Sequence, residues 1–204
     1  MKRSSNIEDP QDQPKKSLLQ RFNMTKFKIG YAKSYETEKQ VIYYCTKYLN
    51  EFPTSYTTLC DRADAFCKLK KYDKAINDLN LAIQLKPERS IAWYLRGAVK
   101  GFKESYTDAI DDLSKALRID PINCLTLKCR AYCYYQLKSF EEAFCDLNMI
   151  IIMGCPNEFT YINKANILRE LKNLNNSTQD LDTGNNNNGV SLNVGDKKGK
   201  RKAF

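Results

Sequence analysis

The stretch SIAWYLRGAVKGFKESYTDAIDDLSKALRIDPIN, residues 90–123, decides the fold of this 204-residue chain. It contains two segments with helical periodicity joined by a short polar turn, and the second ends at Pro121, because proline cannot continue a helix interior. Shifting the sequence by 34 residues in either direction returns the same pattern. Such self-similarity predicts a stack of helical hairpins. The residues at the positions of Trp93, Gly97, Tyr106, Ala109, Leu113, Ala116 and Pro121 are Leu59, Ala63, Tyr72, Ala75, Leu79, Ala82 and Pro87 in the unit before, and Leu127, Ala131, Phe140, Ala143, Leu147 and Ile150 in the unit after.

The repeats predict an all-α domain at residues 56–174. It consists of three hairpins, at 56–89, 90–123 and 124–157, and a final helix. We expect that last helix to cover the final apolar face, because a stacked array requires a polar cap for solubility.

The flanking segments differ from the repeats. Residues 17–55 are predicted to form a degenerate repeat or capping helices, since Pro53 lies 34 residues before Pro87. Residues 1–16, which are polar, and residues 175–204, which are Asn-rich and basic, are predicted to be disordered.

The charge distribution separates the ends from the middle of the chain. The formal net charge is +9, but residues 1–30 and 195–204 together supply most of it. A nucleic-acid-binding domain usually carries its basic surface on the fold itself. Any nucleic-acid binding is therefore expected only through the tail, whose basic residues are Lys197, Lys198, Lys200, Arg201 and Lys202.

Membrane and export signals are not predicted. No run of 18 apolar residues occurs, and the polar, acid-containing N-terminal segment is unlike a secretory signal. We expect a cytoplasmic protein, with the nucleus as an alternative, and no membrane partner.

The eight cysteines are expected to be reduced in an intracellular chain. Cys129 and Cys133 lie one helical turn apart and could in principle help to bind a soft metal. The chain has no C-x-x-C pair and no histidine, so the usual zinc-ligand spacings are missing. We expect these thiols to fill small buried niches, and we predict no metal and no cofactor.

Enzymatic activity is not predicted. The chain lacks histidine and the glycine-rich phosphate-binding loops. Asp78, Asp111, Asp112 and Asp146 recur with the repeat period, and we interpret them as solvated or helix-face positions.

The three units resemble tetratricopeptide repeats, a family of protein-binding scaffolds. The resemblance implies hairpins stacked into a right-handed superhelical solenoid with a concave groove. Arg62, Arg96 and Arg130 stand where the family more often has leucine, and Lys100 replaces a usual aromatic. We expect Lys100 to lay its aliphatic stem on apolar surface and to place its amine in water.

The resemblance also implies which residues line the groove. They are Cys60, Ile91, Tyr94, Phe102, Leu125, Lys128, Tyr132, Tyr135, Phe159 and Ile162. The resulting strip is apolar and aromatic, and aromatic residues concentrate binding energy at interfaces.

One subgroup of the family holds the acidic tails of heat-shock chaperones with a clamp of Lys, Asn and Arg. The corresponding positions here are Cys60, Asp64, Leu95, Leu125 and Cys129. A desolvated carboxylate needs charge-assisted donors, which these residues do not supply. The sequence therefore predicts a non-enzymatic adaptor that binds a segment of another protein. The alternatives are a nuclear or nucleic-acid-associated factor acting through the basic tail and, less favoured, a co-chaperone.

Overall fold

The computed structural model describes residues 18–35 and 37–187, with side chains for residues 24–34, 37–158 and 160–174. Every regular element in these ranges is an α-helix, which confirms the all-α prediction for them. The helices are α1 (Leu18–Tyr35), α2 (Glu38–Glu51), α3 (Tyr56–Lys68), α4 (Tyr72–Leu85), α5 (Ser90–Phe102), α6 (Tyr106–Ile119), α7 (Cys124–Gln136), α8 (Phe140–Ile152) and α9 (Glu158–Asn187). They belong to two units, the first ending at Cys155 and the second beginning at Pro156.

Within the first unit the helices pack as consecutive hairpins: α1 with α2, α3 with α4, α5 with α6, and α7 with α8. The second helix of each hairpin contacts the first helix of the next. The first helices also contact one another, α3 with α5 and α5 with α7, and so form a continuous inner layer. This unit is the predicted solenoid of helical hairpins.

The turn inside each of the three regular hairpins has the same backbone geometry. Lys70, Glu104 and Lys138 adopt left-handed conformations with φ of 57°, 63° and 60°. The amide of each donates to the carbonyl three residues back, and the next amide donates to the carbonyl five residues back, at 2.8–3.0 Å. This Schellman motif satisfies the last carbonyls of the first helix and fixes where the second helix begins.

Small residues set the distance between the helices of a hairpin. Ala63, Ala75, Ala109 and Ala143 are completely buried. A Cβ atom added at Gly97 would lie 2.7 Å from Cγ of Leu113 and 3.1 Å from the carbonyl oxygen of Ala109. A side chain at Gly97 therefore requires Leu113 or α6 to shift.

The C-terminal helix is longer than predicted. We expected it to end near residue 174, but α9 continues to Asn187. No proline follows Pro156 in the sequence, so nothing removes a backbone donor from the helix. The prediction of disorder is therefore wrong for residues 175–187, whereas residues 1–16 and the basic residues of the tail lie outside the described part of the chain.

One pair of cysteines is oxidised. Cys124, the first residue of α7, forms a disulfide with Cys155, which follows α8, and their Cα atoms are 6.7 Å apart. The prediction that all cysteines are reduced is wrong for this pair. The hairpin brings the start of α7 and the end of α8 together, and Gly154, with φ of 70°, turns the chain so that Cys155 points back.

Candidate functional site

A buried arginine–aspartate pair recurs in the three regular hairpins: Arg62 with Asp78, Arg96 with Asp112, and Arg130 with Asp146. In each pair Nε and Nη2 of the arginine donate to the two carboxylate oxygens at 2.7–2.8 Å. The aspartates are only 4–8% exposed. We interpreted these acids as solvated or helix-face positions. The first alternative is wrong for all three, because each carboxylate is desolvated and has the charged partner that such a group needs.

The same arginines also reach the preceding hairpin. Nη1 of Arg62, Arg96 and Arg130 donates to Thr46, Asn80 and Ser114, respectively, at 3.2, 2.8 and 3.0 Å. Each guanidinium therefore joins both helices of its own hairpin to the second helix of the one before.

The α1–α2 hairpin takes part in this series. Thr46 lies on α2, at the position that Asn80 and Ser114 occupy later. The repeat spacing also persists with different chemistry, because Nζ of Lys28 lies 5.7 Å from the ring centroid of Tyr44, sixteen residues on. Thr46 and the Lys28–Tyr44 contact thus follow the repeat spacing within α1 and α2.

Lys100 also departs from its prediction. Its Nζ lies 2.8 Å from Oδ2 of Asp112, and its side chain is 23% exposed. The amine is therefore bound to a buried carboxylate and not free in water. Lys100 thus adds a second cation to the Arg96–Asp112 pair.

The inner layer of first helices carries most of the residues predicted to line the groove. Within the layer formed by α3, α5 and α7, the exposed large apolar side chains lie on α5 and α7: Ile91 (51%), Phe102 (64%), Leu125 (59%) and Tyr132 (45%). We call these four residues the apolar strip. Tyr94, Lys128 and Tyr135 are half-buried on the same two helices.

Three predicted residues stand apart from the strip. Cys60 is 6% exposed and belongs to the core cluster around α3 and α4, so its assignment to the groove surface is wrong. Its side chain points between helices, a direction that repeat register alone does not give. Ile162 is exposed on α9, in the second unit. The side chain of Phe159 lies outside the described residues.

Tyr94 is half-buried on α5, in the inner layer of first helices. Burial raises the pKa of its hydroxyl to about 12, and the hydroxyl is hydrogen-bonded to Cys129 on the neighbouring α7. Burial also raises the pKa of the Cys129 thiol, and the bond from Tyr94 partly offsets that effect. Tyr94 therefore holds α5 against α7 as well as facing the groove.

A small cavity of about 90 Å³ lies between α3 and α5 beside Tyr94. Its walls include Ala63, Ala98 and Phe102, and Asp64 is its acidic group. Nζ of Lys68 lies 3.0 Å from that carboxylate, so the charge is already balanced. The cavity can accept a small apolar side chain and offers no unpaired charge.

Aromatic pairs hold the strip in place. The ring of Phe102 stacks on Tyr72 with centroids 6.3 Å apart, and Tyr132 meets Tyr106 edge-on, also at 6.3 Å. Tyr135 packs against Phe140 at 5.7 Å. In each pair one ring is on a first helix and the other begins a second helix, so the exposed rings are supported from behind.

The described residues bear on three other kinds of site: a metal site, a membrane-spanning helix and a clamp for acidic tails. No cluster there of three or more His, Cys, Asp or Glu side chains could hold a metal ion. No helix among them is long and apolar enough to cross a membrane. At the positions where acidic tails would be clamped, Cys129 is engaged with Tyr94 and Asp64 with Lys68.

Comparisons with known proteins agree with this architecture. No curated protein matches the chain. Among solved structures, MamA (41-end) from Desulfovibrio magneticus RS-1 is similar, with a TM-score of 0.69 and 12% identity over 84% of this chain and 98% of that one. The Arabidopsis OM64 TPR domain gives a TM-score of 0.53 and 21% identity over 55% of this chain and 93% of that one.

A third similar structure was solved with a ligand. The first TPR of Spaghetti (RPAP3), bound to the HSP90 peptide SRMEEVD, gives a TM-score of 0.56 and 18% identity over 57% of this chain and 93% of that one. At these identities the likeness shows the fold alone. The tetratricopeptide repeat family model matches residues 56–89 and 91–123, the two hairpins α3–α4 and α5–α6. Those two hairpins therefore match the tetratricopeptide repeat family, and the α7–α8 hairpin continues their pattern in register.

Proposed function

We propose that the chain is a non-enzymatic adaptor that binds a short segment of another protein along the inner faces of α5 and α7. The observation that carries the proposal is the apolar strip, whose four members are 45–64% exposed on adjacent helices. Contiguous exposed apolar surface on a soluble protein commonly marks an interaction site.

The chemistry of the strip indicates the kind of segment it binds. Ile91 and Leu125 hold equivalent positions at the starts of α5 and α7, and Phe102 and Tyr132 supply rings toward the other end. Supported aromatic side chains are favoured binding anchors, because they bury a large area with little loss of conformational freedom. We expect a ligand with at least two apolar side chains spaced to contact both helices.

An acidic chaperone tail is a poor ligand for this surface. The RPAP3 domain binds the peptide SRMEEVD, which carries several carboxylates. Here the equivalent clamp positions hold no cation, and the acid among them, Asp64, is paired with Lys68 and offers an acidic tail no donor. The proposal therefore favours an apolar segment over a co-chaperone role.

The test uses peptides selected from a random display library against the full chain. Enriched peptides should bind in fluorescence anisotropy, and the double substitution Ile91→Ser, Leu125→Ser should weaken that binding at least about tenfold, or about 1.4 kcal/mol. The matched control is Leu81→Ser, Ile152→Ser, which removes two exposed apolar residues from second helices and should leave binding unchanged.

Two results would overturn the proposal. One is a library that yields no peptide binding to the folded chain. The other is equal binding by the strip variant and the control variant. Tyr94→Ala is avoided as a test, because Tyr94 also packs against the core of the α5–α6 hairpin.

A further inference from the structure

A second cavity, of about 410 Å³, lies on the other side of α7 from the apolar strip. With about 3.6 residues per helical turn, Leu127 and Arg130 lie on one side of α7, whereas Leu125 and Lys128 lie on the opposite side. The cavity falls within the size range of ligand pockets. Its lining comprises Leu117, Pro121, Leu127, Arg130, Cys145, Asp146 and Met149, and Asp146 is the carboxylate that is paired with Arg130.

The preceding hairpin shows what occupies this place when it is filled. Thirty-four residues earlier, the indole of Trp93 donates from Nε1 to the carbonyl oxygen of Pro87 at 2.8 Å. The guanidinium of Arg96 lies 4.9 Å from the centroid of that indole, and Nζ of Lys115 lies 5.6 Å from it. One carbonyl acceptor and two cations therefore hold an indole at the junction of α4, α5 and α6.

The third hairpin keeps most of these groups but lacks the indole. Leu127 replaces Trp93, and no described residue donates a hydrogen bond to the carbonyl of Pro121, the counterpart of Pro87. Arg130 is in place and has an aromatic ring, Tyr134, 5.8 Å away on one side. Met149 replaces Lys115 and is 48% exposed. Thioether groups make favourable contacts with aromatic rings and suit adaptable binding surfaces.

We propose that this cavity binds the side chain of a tryptophan from a partner protein. Its indole N–H donates to the carbonyl of Pro121, and the face of the ring lies on the guanidinium of Arg130. The electrostatics are complementary, because the electron-rich ring meets the guanidinium and the polar N–H meets a carbonyl oxygen that accepts no hydrogen bond from the described residues. This surface is separate from the apolar strip, so it gives the adaptor a second contact.

The test uses the full chain labelled with ¹⁵N and the probe N-acetyl-tryptophanamide, with N-acetyl-leucinamide as the aliphatic control. The tryptophan probe should shift the amide signals of Cys145 and Met149 in a saturable manner and leave those of α2 unchanged. The leucine probe should bind at least about tenfold more weakly, because it has neither a ring for Arg130 nor an N–H in the indole position. No saturable shift, or equal binding of both probes, overturns the proposal.

Two substitutions sharpen the result. Leu127→Trp places an indole of the chain itself in the cavity. It should therefore reduce probe binding at least tenfold, while circular dichroism shows an intact helical fold. Unchanged binding in that variant overturns the proposal. Met149→Lys copies Lys115 at an exposed site, so it should keep or increase binding of the tryptophan probe. Loss of binding in Met149→Lys overturns the proposal even where Leu127→Trp fails to fold.

Discussion

Arg96 and Asp112, sixteen residues apart, face each other across the α5–α6 hairpin through two hydrogen bonds of 2.8 and 2.7 Å. The aspartate side chain is 6% exposed and also accepts from Lys100 at 2.8 Å. Asp112→Ala leaves both cations without their counter-charge. We expect the free energy of unfolding, measured by urea denaturation, to fall by about 3–5 kcal/mol.

The control for that experiment is Asp111→Ala. Asp111 is the adjacent residue on α6 but is exposed, so its removal should change stability by less than about 0.5 kcal/mol. Equal, small losses in both variants would show that the buried pair does not stabilise the hairpin.

Gly97 and Gly101, one turn apart on α5, should respond to alanine in opposite directions. At Gly97 the added Cβ lies 2.7 Å from Leu113, and overpacking should outweigh the gain in helix propensity, with a net loss of about 1–2 kcal/mol. At Gly101 the nearest atom is Sγ of Cys133 at 3.4 Å, so alanine should be neutral or stabilise by about 0.5–1 kcal/mol. Thermal and urea unfolding of the two variants measures the sign of each change in stability. A stabilised Gly97→Ala would contradict the close packing of α5 against α6.

The disulfide between Cys124 and Cys155 should stabilise the chain by restricting its unfolded state. It closes a loop with a sequence separation of 31 residues, for which the expected contribution is about 2–4 kcal/mol. Reductant should therefore lower the melting temperature of the wild type but not of Cys155→Ser. Cys145→Ser, which changes an exposed free thiol, should behave like the wild type. A wild-type melting temperature that does not change on addition of reductant would argue against the disulfide.

Alkaline pH should destabilise the fold through its buried thiols. Burial raises the pKa of Cys45 and Cys133 to about 12 and that of Cys60 to about 11. In the unfolded chain a thiol loses its proton near pH 8.5, so above that pH the folded state binds more protons and stability falls as the pH rises toward 11. The stabilisation by the neutral thiols is complete only below about pH 8.

Cys45→Ala isolates this effect. The difference in unfolding free energy between the variant and the wild type should move in favour of the variant by at least about 1 kcal/mol between pH 7 and pH 10.5, since one pKa unit corresponds to about 1.4 kcal/mol. Groups that are common to both proteins contribute equally to the two unfolding free energies and cancel in the difference. A difference that stays constant over this range would contradict the prediction.

The groove residues illustrate what repeat register can and cannot predict. Ile91, Leu125 and Tyr132 are predicted groove residues on first helices, and all three are exposed. Cys60 has the same kind of position but is buried. Register gives the side of the helix, whereas exposure depends on how far the neighbouring helices cover that side.

The spacing of the Arg–Asp pairs is a sequence signal that we interpreted for the arginines and aspartates separately. Arginine and aspartate recur sixteen residues apart in three hairpins, as Arg62 and Asp78 do first. Each half of the pair looks like a surface charge when read alone. Reading the two halves together, across the turn of one hairpin, would have predicted a contact.

The sequence by itself determined the hairpins and their order. The 34-residue period, the small residue at Gly97 and the helix-ending Pro121 are local features, and helical periodicity turns them directly into structure. The tertiary structure alone decided the burial of Asp112, the pairing of Cys124 with Cys155, and the different surfaces on the two sides of α7. These features depend on which helix faces meet, and residues far apart in sequence come together only after the hairpins have packed.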